Sequence, residues 1–187
     1  MDRCRNKVMM LAALSFLLAL VIGGPATGQV PRVIAIADFV DESASGFQID
    51  ASGLSGELAS LISARAGGRL RVASVADLRN ALRTRGLTAA DLVSPARAAE
   101  IAGSLGANLI VTGRWTHLDA DTTKMEPNII PREGLAALEV RVLEVPSRQV
   151  ILRDSFHGIA HGGGRIAALR RAAFIALTMA ADRISRL

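Results

Sequence analysis

Gly106-Ala107-Asn108-Leu109-Ile110-Val111-Thr112-Gly113-Arg114-Trp115 is the stretch whose reading decides the fold. Gly106 stops a helix, Asn108 precedes a short apolar run, and Gly113 comes shortly before the one tryptophan of the chain. A strand wet on one face would alternate apolar with polar residues. Leu109-Ile110-Val111 does not, and no charge follows until Arg114, so the run predicts a central strand covered on both faces.

Working back from it, Ser94 with Pro95 at the first helical position opens the helix that Gly106 closes, since the amide that proline lacks has no partner there. Leu87 to Leu92 reads as a tight helical turn. Ser74, with Asp77 three residues on, resembles a capping box and opens a helix with Val75, Leu78 and Leu82 on one face, ending at Gly86. Leu70-Arg71-Val72-Ala73 is a short strand. Before it, Gly53 to Ala66 places Leu54, Leu58, Leu61 and Ile62 at one-face spacing, with Gly67-Gly68 at its end. Val33 to Val40 is apolar on both alternating faces until Asp38 and predicts a buried strand beside the central one, Asp38 lying at its carboxyl end.

Working forward, the chain is expected to leave the sheet after Trp115. His117 to Glu133 holds Asp119, Asp121, Lys124, Glu126, Pro127, Asn128 and Pro131, which reads as a loop longer than a simple connection, and such loops are often recognition elements. Leu138, Val140 and Val142 alternate with Glu139 and Arg141, Pro146-Ser147-Arg148-Gln149 turns the chain, and Val150 to Phe156 returns antiparallel. Ile166, Leu169, Ala173, Leu177, Ala180, Ile184 and Leu187 form one stripe of a long closing helix, with Arg170, Arg171 and Asp182 off it. The expected fold is α/β, a mixed five-stranded sheet covered by helices in the order βαβααβββα.

Arg3, Arg5 and Lys7 precede an uncharged segment, Val8 to Ile22, that is shorter than the ~20 residues of a membrane span. Gly23-Gly24-Pro25 breaks it and Ala26-Thr27-Gly28 supplies small residues for a signal peptidase, so residues 1–28 read as a signal peptide cleaved near Gly28, with an uncleaved anchor as the alternative. Residues 29–187 then form one α/β domain, secreted to the periplasm. Cys4 is the sole cysteine and lies ahead of the apolar segment, so the remainder has no thiol for disulfides, thiolate chemistry or lipid attachment. Of 22 basic residues, removing Arg3, Arg5 and Lys7 leaves 19; of 17 acidic ones, removing Asp2 leaves 16, a net charge of +3. That balance, with no aromatic residues among the arginines, points away from nucleic acid.

Candidate sites stand against plainer readings. His117, His157 and His161 are not at metal-ligand spacing, and no Gly-x-Ser-x-Gly elbow aims a serine at His157 and Asp154, so neither a metal, a cofactor nor a catalytic residue is expected. Asp119, Asp121 and Glu126 lack the turn glycine of a calcium loop. Gly163-Gly164-Arg165, with Arg170, resembles a glycine-exposed anion site at a helix start, and a flexible link explains the glycines equally well. Met125, Ile129 and Ile130 within a polar loop, beside Trp115, are candidate partner contacts, although Trp115 also suits the core.

Val33-Ile34-Ala35-Ile36-Ala37-Asp38-Phe39, Leu105 to Arg114, Val142-Leu143-Glu144-Val145 and Ala180-Ala181-Asp182-Arg183-Ile184 together resemble, in order, periplasmic domains of the TolB amino-terminal and CsgG type. The resemblance implies a stand-alone, non-enzymatic interaction or assembly module of the bacterial cell envelope. It would act through contacts with envelope proteins, as a homo-oligomer, or by peripheral touch on a membrane without insertion. The sequence departs from the TolB type in having no β-propeller after Leu187, and from the CsgG type in having no acylated cysteine and no long membrane-crossing hairpin. An alternative from the same resemblance is a subunit of an outer-membrane secretion or surface-organelle assembly that forms oligomeric rings. A small hydrolase is the remaining alternative.

Overall fold

The computed structural model describes residues 30–45, 50–121 and 132–187. The proposed signal segment and Met125, Ile129 and Ile130 lie outside these residues. The strands are β1 (Arg32–Ile36), β2 (Val40–Asp41), β3 (Leu70–Val72), β4 (Leu109–Asp121), β5 (Arg132–Glu144) and β6 (Gln149–Gly162). The helices are α1 (Ala51–Arg65), α2 (Val75–Thr84), a 3-10 turn (Ala89–Val93), α3 (Pro95–Ser104) and α4 (Arg165–Ile184). They build the expected mixed α/β sheet under helices, in the order β3-β1-β4-β5-β6, with β2 also against β4. β1 lies parallel to both β3 and β4, while β4, β5 and β6 form an antiparallel meander.

Leu109, Ile110 and Val111 are fully buried, so the run read as a central strand is one. One face of the sheet packs on α1 and α4 through Ile36, Leu58, Val111, Leu138, Phe156 and Leu177. The other packs on α2, the 3-10 turn and α3 through Ala35, Leu78, Leu92, Ile101, Ile110 and Leu143. Asn108 joins β1 to this core: its amide nitrogen donates to the Val33 carbonyl at 2.7 Å, and its side-chain oxygen accepts from the Val33 amide at 2.8 Å. Gly106, at φ +66°, supplies the left-handed residue that ends α3 two residues earlier.

Three expectations need correction. The strand expected over Val33 to Val40 is two strands, so the sheet has six. The Ala37 amide still donates to Val111, but the Asp38 side chain turns to Ser55 and Arg79, and the Phe39 ring lies on Gly113 where a Cβ would meet it at 2.7 Å. Pairing resumes only at Val40, opposite Arg114.

Secondly, both ends of the loop expected from His117 to Glu133 are strand: β4 runs to Asp121 and β5 starts at Arg132, while residues 122–131 lie outside the described residues. A bulge between Trp115 and His117 shifts the side-chain phase, so that Val111, Gly113 and Trp115 face α4 before it, and Leu118 and Ala120 face the same way after it. Thirdly, the outer ends of the closing stripe are wet, Ile166 being 69% and Leu187 39% exposed. The buried stripe of α4 is made mainly of alanines, Ala168, Ala172, Ala176 and Ala180, around Leu169, Leu177 and Ile184. Their partners across the interface include glycines: a Cβ on Gly134, Gly158 or Gly162 would meet α4 backbone at 2.4, 1.8 and 2.7 Å respectively. α4 therefore rests on the sheet backbone to backbone.

Candidate interaction surface

The outermost strand of the meander is β6. It turns back from β5 through Val145–Arg148, where Arg148 adopts φ +56°, and a second bulge, between Val142 and Leu143 on β5, leaves Ile151 of β6 without a partner. Thirteen of its fourteen residues pair with β5, and among the described residues no strand pairs with its other side. Beside that edge lies the outer flank of α4. There Phe174 is 47%, Ile175 39% and Met179 48% exposed, and Ile159 of β6 is 59% exposed. Ile159, Ala160, Phe174 and Ile175, with His161, Arg170 and Arg171, line an open groove of about 500 Å³. A scattered exposed apolar residue needs no explanation; these sit together beside an unpaired strand.

The opposite face of the meander is polar. β4, β5 and β6 place Arg114, Glu139 and Ser155 in one cross-strand row. Arg114 donates to Glu139 at 2.6 and 2.9 Å and to Glu42 at 2.8 Å, while Arg153 reaches Glu139 at 2.9 Å. The hydrogen bond from Arg114 does most to hold the Glu139 carboxyl below the usual range, and it outweighs the opposing effect of burial. A second network closes the sheet's other end. Asp38 accepts from Arg79 at 2.7 and 2.8 Å and from Ser55 at 2.6 Å, linking the segment after β1 to α1 and α2. Burial alone would raise the Asp38 pKa, but the hydrogen bonds from Arg79 and Ser55 win and lower it.

Trp115, a candidate partner contact by sequence, is fully buried, edge-on to Phe39 with ring centres 6.1 Å apart, and offers no surface to a partner. Among the described residues its indole nitrogen has no hydrogen-bond partner. Gly164 caps α4 in extended conformation, but the Arg165 Nε donates to the Ala120 carbonyl at 3.0 Å, which turns that guanidinium toward the end of β4. Arg170 follows five residues later, about 140° round the helix, so Arg165 and Arg170 do not share one face. Gly163 has open space around a notional Cβ.

His157 and Asp154 lie on opposite faces of β6; Asp154 faces α4, where Arg183 approaches it at 3.9 Å. The hydrolase arrangement does not assemble from them. Among the described residues no group of His, Cys, Asp or Glu is placed to hold a metal ion. No helix of the described residues is long and apolar enough to cross a membrane. Sequence reading missed the outer flank of α4. Its signal was present in Ala172-Ala173-Phe174-Ile175-Ala176-Leu177, a helix segment apolar all round rather than along one stripe.

No protein family profile matches the chain, and no curated protein matches it. Solved structures do. A dodecamer of a PelC variant from Paraburkholderia phytofirmans aligns at TM-score 0.51 and 13% identity, over 83% of this chain and 88% of that one. Lipoprotein GNA1162 from Neisseria meningitidis aligns at TM-score 0.54 and 14% identity, over 84% and 100%. LpoB of E. coli aligns at TM-score 0.51 and 16% identity, over 71% of this chain and 58% of LpoB. At such identities the likeness concerns architecture, and the chain has the mixed α/β fold that PelC, GNA1162 and LpoB share.

Proposed function

We propose that the chain is a non-enzymatic interaction or assembly module of the bacterial cell envelope, acting through protein contacts in the periplasm after removal of residues 1–28. Within that reading it is a relative of the TolB amino-terminal and CsgG-type domains. The observation that supports it is the β6 edge: a fourteen-residue strand with no strand on its outer side among the described residues, next to a flank of α4 that exposes Phe174, Ile175 and Met179. Strand addition satisfies such an edge and an apolar flank adds the buried area. The occupant we assign is a second copy of this chain, because a protein of this fold, PelC, is a dodecamer. Met125, Ile129 and Ile130 are proposed as partner contacts on the sequence reading alone.

Sedimentation velocity of the purified chain tests this. The wild type should sediment as a species larger than a monomer, and Phe174→Glu should sediment as a monomer with an unchanged circular dichroism spectrum. A wild type that stays monomeric at every concentration refutes self-assembly. In-cell cross-linking that then traps one envelope protein, lost in Phe174→Glu, moves the same surface to a different partner.

A further inference from the structure

The polar face of the meander holds an arrangement that protein contact at β6 does not explain. Arg141 of β5 stands directly opposite Arg153 of β6, with Thr112 of β4 on its other side. Like charges opposite each other across antiparallel strands bring their Cβ atoms to about 5 Å and destabilise the pair. Arg153 relieves its share by turning to Glu139, whose other oxygen is taken by Arg114. Arg141 finds nothing: among the described residues it makes no hydrogen bond or ion pair, although it is half-buried. Three guanidinium groups thus face two carboxylates, Glu139 and Glu42, around a concavity of about 210 Å³. Its floor is the sheet; Val40 and the 3-10 turn residues Ala89 and Val93 wall it with apolar groups.

We propose that this concavity binds a small amphiphilic anion, a carboxylate or phosphate monoester bearing a short apolar chain. Arg141 holds the oxyanion with its planar fork of donors, Arg153 adds charge from the facing strand, and Thr112 has a hydroxyl beside them. The apolar chain lies against Val40 and Val93. A bound anion removes the repulsion between Arg141 and Arg153, which gives the unliganded site its unfavourable pair and the liganded site its affinity. The site is on the sheet face turned away from α4, and it shares only Arg153 with β6, the strand whose edge is the proposed contact surface.

Titration calorimetry of the full chain at low ionic strength, with hexyl phosphate and with hexanoate, reads this directly. At least one should bind saturably, and the tighter of the two identifies the head group. Arg141→Gln should weaken that binding by about tenfold or more, the usual scale for a charge-assisted pair. Without ligand, the same variant should melt no lower than the wild type, because it removes one of two opposed charges. Saturable binding of neither probe overturns the proposal, and so does wild-type affinity in Arg141→Gln.

Discussion

Replacing Gly158 by alanine tests the contact on which the fold depends most. A Cβ at that position would lie 1.8 Å from the Ala172 carbonyl oxygen of α4 and 2.8 Å from its carbon. Ordinary carbon–oxygen contact is about 3.3 Å, so relief requires α4 to lift by about 1.5 Å. Overpacking of this kind costs about 1–3 kcal/mol. A lift of that size also opens a gap along Ala168, Ala172 and Ala176, and a gap of even 0.5–1 Å forfeits roughly a quarter to a half of each dispersion contact. The expected loss is therefore at the upper end, about 3 kcal/mol.

For a chain of this size each kcal/mol moves the melting temperature by about 2–4 °C, so calorimetry should record a fall of roughly 6–12 °C. Gly163→Ala is the control. There a Cβ meets open space and the backbone is not left-handed, so the reduced freedom of the unfolded chain should raise stability by about 0.4–1 kcal/mol. A Gly158→Ala protein melting within about 2 °C of the wild type, or changing in the same direction as Gly163→Ala, would refute a backbone-to-backbone seat for α4.

Thr178 on α4 has a buried hydroxyl without a partner among the described residues, so Thr178→Val should raise stability by about 1 kcal/mol in urea denaturation; a loss would mean that the hydroxyl is satisfied in solution. Asp38 has a folded pKa below its unfolded value of about 3.9, so its contribution is complete above that value and is lost as pH falls through the folded one. Asp38→Asn should therefore flatten the acid limb of the stability profile below pH of about 4, and an acid limb identical to the wild type would count against the Arg79–Asp38 link. Asp50 lies near enough to oppose this lowering, so Asp50→Asn should deepen it, as carboxyl NMR titration would read.

The central strand was legible because three consecutive apolar residues between glycines admit little else, and the alternation of Leu138, Val140 and Val142 named the next strand. The extent of β4 was not legible. A bulge at Thr116 moves the inward positions from odd to even numbers, so Leu118 and Ala120 look out of phase with Val111 and Trp115 although all four face α4. The break after Ile36 was hidden for a different reason: Asp38 and Phe39 leave the strand for partners, Arg79 and Gly113, that are distant in sequence. Periodicity finds Leu and Ile stripes, and it therefore found half of α4; the alanines that seat the helix and the apolar flank beside β6 carry the same letters on every side. The cluster of Arg114, Glu139, Arg141 and Arg153 depends on register between three strands, which no single segment reveals.

The place of β1 in the sheet has a consequence for the order in which the molecule forms. β4, β5, β6 and α4 are neighbours in sequence and in space, so their contacts close short loops and should appear early. β1, by contrast, sits between β3 and β4, and the Val33 amide meets Asn108 across 75 positions of chain. Among the strands, the one synthesised first has no finished berth until β4 has emerged. β1 must then wait while the later strands assemble, and the sheet is completed by insertion at its middle rather than by growth at an edge. A chain that leaves the ribosome amino terminus first therefore cannot complete this sheet until Leu109–Asp121 has emerged.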